Sequence, residues 1–196
     1  MIAVGLQDSQ LRAHRVPGEV GIWILVLGDM SVFALFFATF LHSRRRNTHA
    51  FALAHDTLYL PFGLLNTVLL LTSSLLVALA VARVMSRRHG GAARLFVGGL
   101  CCAAAFVVVK AAEWSRLFAE GHTVGTGDYY AYYFVFTGIH MGHVMIGLVV
   151  LTRLAALTGK STLSERQART CETGGIFWHM VDLLWIVLFA LFYLVK

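Results

Sequence analysis

The chain has 196 residues, 58% of them apolar and only 13% charged, with a mean hydropathy of +0.73. A soluble domain keeps about a quarter of its residues charged, so a water-soluble globule is excluded and a membrane protein is indicated. The formal charge of +6 does not imply nucleic acid. Its basic residues cluster beside apolar runs (Arg44 to Arg46; Arg87 and Arg88), where lipid headgroups are the simpler partners.

Residues 1–18 are mixed and polar, and no small-residue cleavage site follows the first apolar run, so that run is read as a retained helix. Residues 1–19 are expected to form an N-terminal cytoplasmic segment and residues 20–196 a five-helix membrane domain. Spans of about 30 Å at 1.5 Å per residue fit five segments, and lipid forces each to be a helix. The fold class is therefore all-α, a polytopic membrane bundle.

The first span, Val20–Leu41, follows Pro17 and Gly18 and carries Asp29, with Phe33, Phe36 and Phe40 on nearly the same face. An acid there either serves a proton path, a lipid or a partner helix, or is bonded to a neighbouring helix. The second span, Phe62–Ala82, opens at Pro61, whose missing N–H costs nothing at a helix start. The third, Leu95–Trp114, holds Cys101 and Cys102, read as small apolar filler. With Cys171 they make three cysteines and no plausible disulfide. Lys110 and Glu113, one turn apart near its outer end, are read as an intramembrane ion pair or as snorkelling groups.

The fourth span, Tyr130–Leu151, places His140 and His143 one turn apart, with Gly147 continuing their face. Gly138 and Gly142 form a small-xxx-small pair on the opposite face, where another helix can approach closely. The fifth, Ile176–Val195, repeats the i, i+3 spacing with His179 and Asp182. Trp23, Trp114 and Trp178 fall near span ends, as interfacial anchors do. By residue counting His143 lies at mid-membrane and His179 near the cytoplasmic surface. That is a poor match for a bis-His haem, so the expectation is an interhelical hydrogen-bond network and no metal. No internal repeat is visible, which disfavours an inverted-repeat transporter. Ten Lys and Arg flank one side of the spans and five the other, which places the N-terminus in the cytoplasm and the C-terminus outside.

Gly28-Asp29-Met30-Ser31-Val32-Phe33-Ala34-Leu35-Phe36-Phe37, running on to His42, resembles the first shared helix of subunit III of the haem–copper oxidases (cytochrome c oxidase subunit III). Leu65-Asn66-Thr67 with Thr72-Ser73-Ser74 is similar to the next helix, and Phe106 to Trp114 to the third. Thr137-Gly138-Ile139-His140-Met141-Gly142-His143-Val144 resembles a signature block of that family, and Phe177-Trp178-His179-Met180-Val181-Asp182 with Trp185 its closing block. Five blocks in order cover nearly the whole chain from Gly18. The chain resembles the short bacterial members, which lack two N-terminal helices. Asp29 stands where glutamate is common, which with Pro17-Gly18-Glu19 and Gly21-Ile22-Trp23 is similar to the subunit-III-like proteins associated with nitric oxide reductase.

The resemblance implies an accessory, non-catalytic subunit in the plasma (inner) membrane of a bacterium. It would bind no redox cofactor, hold phospholipid, and support proton uptake and stability beside a haem-bearing catalytic subunit that carries haem and copper. On that reading Asp29, His140, His143, His179 and Asp182 are the proton- or lipid-linked positions. Alternatives are a subunit of a nitric oxide reductase complex, a small haem-b electron carrier using His140 or His143 with His179, and a proton-coupled transporter built on Asp29 and Asp182.

Overall fold

A computed structural model describes residues 19–55, 57–87, 90–159 and 163–194. The N-terminal segment therefore lies outside the described residues except for Glu19, as do Arg12, Arg15, Arg88, Lys160 and Lys196 of the charge tally. Among the described residues six α-helices follow one another: α1 Val20–Arg46, α2 Thr48–His55, α3 Leu60–Met85, α4 Ala92–Ala119, α5 Asp128–Thr158 and α6 Glu165–Phe189. A π-helical turn, Ala190–Leu194, continues α6. All except α2 are long and apolar enough to cross a membrane, and no strand occurs among the described residues.

The spans outrun their apolar cores because polar residues cap them outside the hydrocarbon. Ser164 accepts from the Gln167 N–H while the Gln167 side chain accepts from the Ser164 N–H. This capping box starts α6 at Glu165, more than ten residues before the expected span. Arg44, Arg45 and Arg46 close α1, where cations meet the negative end of the helix dipole. Pro61 sits in the first turn of α3, as expected. Gly91 enters α4 with φ +82°, a left-handed conformation that a side chain disfavours. The short α2, which hydropathy did not anticipate, lies between the first two spans.

α3, α4, α5 and α6 form a ring: α4 packs on α3 and α5, and α6 packs on the same two. α1 leans on α6 and α5 from outside. The apolar window of α6 is 67% buried and that of α1 only 11%, so α6 is the hub and α1 the periphery. Lipid is as apolar as leucine, so such helices associate through close packing and interhelical hydrogen bonds. Gly147 supplies one close approach: a Cβ there would collide with the Trp178 ring. Gly63 supplies another, since a Cβ would lie 2.8 Å from Tyr193. At one end of the ring Phe40, Tyr129, Tyr133 and Phe136 surround Phe192 with centroids 5.1 to 6.0 Å away.

Two sequence expectations are corrected here. Trp178 is no interfacial anchor: it is fully buried and its indole N–H donates to Ser73 Oγ at 3.1 Å. Gly138 and Gly142 are not where helices of this chain meet. Gly142 has open space around its Cβ position, and Gly138 only touches the edge of Trp114 at 4.0 Å. The face that packs is the opposite one, through Gly147.

Candidate functional site

The polar side chains inside the spans fall into four groups. The first lies inside the ring, toward the C-terminal end of α4. Lys110 of α4 is fully buried, and its ammonium donates to Glu113 Oε2 at 2.9 Å, to Tyr133 Oη at 2.8 Å and to Tyr193 Oη at 3.1 Å. Three donors meet three acceptors, so the cation is saturated. Tyr193 donates in a short bond to Glu113 Oε1, which satisfies the second carboxylate oxygen. The ammonium also lies 4.7 Å from the Tyr133 ring centroid and 5.1 Å from that of Trp185. Of the two readings open to Lys110 and Glu113, the pair is present and snorkelling is not, since neither side chain reaches the surface. The π-turn matters here. It widens the helix just after Phe189, and Tyr193 within it enters the cluster.

The second group is the centre of the ring. His140 of α5 is 1% exposed, its ring 5.9 Å from Phe106 and 5.5 Å from Trp185. Asn66 of α3 is 0% exposed. In the same layer Trp185 donates to Thr67 Oγ1 at 3.1 Å, and farther along α3 Ser73 donates to the Gly99 carbonyl at 2.7 Å while accepting from Trp178.

The third group joins α1 to α5. Asp29 Oδ2 lies 3.0 Å from His143 Nε2, both side chains 19% exposed. The contact is off the direction of an aligned hydrogen bond. His143 Nδ1 lies 3.0 Å from the Ile139 carbonyl, an acceptor only, so Nδ1 carries a hydrogen. The expected phenylalanine face is real: Phe33 is buried 6.1 Å from the His143 ring, and Phe36 stacks on Phe136 at 5.2 Å. Beyond that stack, a groove of about 480 Å³ is lined by Ala38, Thr39, His42, Ser43, Arg46 and Tyr132.

The fourth group lies on the outward face of α3 and α6. His179 is exposed, and its Nδ1 is 2.7 Å from Ser74 Oγ. Asp182 is nearly buried, with Oδ1 unpartnered among the described residues. His179 is therefore bonded to Ser74 and not to Asp182, as its spacing had implied. The residue count that put His179 near the cytoplasmic surface is also corrected. Ser74 is near the middle of α3, so its bond places His179 near mid-span. The two histidines still do not pair, because His143 turns toward α1 and His179 toward α3. Among the described residues no three His, Cys, Asp or Glu side chains converge as a metal site.

Sequence reasoning missed Tyr133, Tyr193 and Tyr129 as polar partners, and it met Asn66, Ser73 and Ser74 only as matching letters. The one available signal was that a lysine in a span needs acceptors, and tyrosine hydroxyls are among the side chains of these spans that can supply them.

Residues 14–196 match the family described as cytochrome c oxidase subunit III. The chain belongs to that family. It is 26% identical to the cytochrome c oxidase subunit 3 of Bacillus sp. (strain PS3), with 89% of this chain and 84% of that protein covered. It is 24% identical to a probable quinol oxidase subunit 3 of Staphylococcus saprophyticus, covering 90% and 88%. It is also 30% identical over 93% of its length to the heme-copper oxidase subunit I+III of Aeropyrum pernix, of which it spans only 25%. The function that follows is that of an accessory, subunit-III-type membrane component of a haem–copper oxidase.

Proposed function

We propose that the chain docks the α3–α6 face on the haem-bearing catalytic subunit of an oxygen-reducing oxidase of the cytochrome c oxidase type, whose haem and copper reside in the partner subunits. The observation that carries this reading is the exposed His179–Ser74 pair near mid-span. Polar groups facing hydrocarbon cost free energy unless a partner covers them. Exposed Leu71, Leu75 and Leu183 surround the pair with apolar surface, as a helix–helix seam requires. The test is recovery of an affinity-tagged chain in mild detergent, reading the haem absorption per tagged chain. Haem should co-purify with the wild type and fall at least several-fold with His179→Trp, which blocks the seam. A tagged chain that purifies alone, without any haem-bearing partner, would sink the reading.

The groove at the end of the α1–α5 seam supports phospholipid binding as part of this role. Arg46, His42 and Ser43 match an anionic headgroup, and the Phe36–Phe136 stack beneath matches an acyl chain. The Asp29–His143 pair, part-open at the same seam, can hold one proton in support of uptake by the catalytic subunit. This reading sets the protein in the bacterial plasma membrane with the N-terminus cytoplasmic and the C-terminus outside, on the basic-residue asymmetry. Lipid extracted with the purified complex should drop by about one molecule per chain in the double variant His42→Gln/Arg46→Gln. Unchanged lipid content would remove the groove from the proposal.

A further inference from the structure

We infer that the centre of the α3–α6 ring is a water-binding site, formed by the Asn66 amide of α3 and the His140 imidazole of α5. All four side-chain nitrogen and oxygen atoms of these residues are buried and unpartnered among the described residues. The two stand at one level of the bundle. His140 lies against Trp185, and Trp185 bonds Thr67, the neighbour of Asn66 in sequence. They also approach from opposite sides, because α3 and α5 each pack on α4 and α6 and not extensively on each other.

Their partner cannot come from the surrounding side chains. Lys110 has used its three hydrogens. The Trp185 and Trp178 indoles donate to Thr67 and Ser73. Phe106 offers no hydrogen-bonding atom. Nor can it come from another subunit or a lipid, since Asn66 is 0% and His140 1% exposed. What remains is a small molecule enclosed by the ring, and the demand is specific. Asn66 offers two donors and two acceptors, and a neutral His140 one of each. Water has two of each and is held in protein interiors by two to four such partners. Leaving the groups bare in a span would be costly, because no outside water reaches them. The site hydrates the layer between the Lys110–Glu113 cluster and the Ser73–Trp178 bond, which otherwise presents only aromatic rings.

X-ray hydroxyl-radical labelling of the purified oxidase complex tests the site, because radiolysis of a bound water oxidises buried side chains beside it. His140 or Trp185 should be modified despite burial. The modification should disappear in Asn66→Leu, which fills the site with carbon, and persist in Asn66→Ser, which keeps a polar group and leaves room. If Asn66→Leu does not fold, the wild-type and serine measurements still decide. A wild-type complex in which neither His140 nor Trp185 is modified, while exposed tryptophans are, overturns the inference. A thermal double-variant cycle is independent of labelling. If one water bridges the pair, Asn66→Leu and His140→Phe each lower the unfolding midpoint, and the double variant lowers it by less than their sum. Strictly additive shifts would show that the two residues share no ligand.

Discussion

At the residue scale, the chain spends its charged side chains on one another. Lys110, Glu113, Tyr133 and Tyr193 form a closed set in which the ammonium and both carboxylate oxygens are hydrogen-bonded. Removing one member of such a set strands the rest, which for a buried ion pair costs about 3–5 kcal/mol, whereas replacing both charges by apolar groups is often neutral. Lys110→Met is therefore expected to be strongly destabilising and Lys110→Met/Glu113→Leu to recover most of the loss. Denaturant unfolding of the purified complex, followed at this chain, checks the order of the two variants. Equal stability of the single variant and the wild type would mean that the pair is not holding the fold. Asp29 shows the other regime. It is 19% exposed, shares its surroundings with His143 and faces a seam, while Glu113 is sealed and Asp182 nearly so. A hydrophobic carbodiimide entering from the lipid reaches Asp29 most readily and should label it ahead of both. Peptide mapping by mass spectrometry decides it, and label confined to Glu113 or Asp182 would contradict the assignment.

At the element scale, packing is governed by where a helix can come close, and glycine alone does not mark that place. Gly142 and Gly147 lie on one helix five residues apart, yet only Gly147 has a neighbour, the Trp178 ring. Gly147→Leu should abolish a folded bundle, or reduce the recovered protein to a small fraction. Gly142→Leu should leave this chain's own fold intact. Protease resistance of the two variants in detergent is the comparison to make. A folded Gly147→Leu chain would show that Trp178 can move aside. α1 depends less on packing, since its apolar window is mostly unburied, and Asp29 ties it to His143 of the ring. Asp29→Asn keeps the size and hydrogen-bonding capacity of the neutral acid and should leave α1 seated. Asp29→Arg sets a cation against His143 inside a span, a cost of at least about 2.5 kcal/mol. It should free α1, read as faster proteolysis within residues 47–59. Equal cleavage of both variants would show that α1 is held by the phenylalanine contacts alone.

At the scale of the whole molecule, one hub helix carries most of the organisation. α6 contacts α3, α5 and α1, and its π-turn brings Tyr193 to α4. The periphery holds the surfaces proposed for lipid and partner: α1 with its seam, and the outward face of α3 and α6 with His179. On the orientation proposed from the charge asymmetry, a reporter fused after residue 194 is expected to be active only outside the cytoplasm, and one in the loop 159–164 only inside. Activity in the reverse pattern would invert the bundle and place the Asp29 end of α1 outside.

Much of this was legible in the sequence, for reasons that are local. Twenty or so apolar residues without charge must be a helix across the bilayer. Pro61 must open a helix, and clustered arginines must sit at headgroups. The blocks around Asp29, His140 and His179 carried the family resemblance. What only the tertiary structure decided is which way each polar group turns. In water a helix shows its inner face by the contrast between apolar and polar sides. In lipid both sides are apolar, so that contrast vanishes and rotation about the axis leaves little trace in the sequence. His140 and His143, one turn apart, thus ended in different surroundings, one enclosed by Phe106 and Trp185 and the other against Asp29. The partners are distant along the chain as well: Lys110 and Tyr193 are separated by 83 residues, Ser74 and His179 by 105. Such bonds depend on how five rods are rotated and staggered together, and no single rod encodes that.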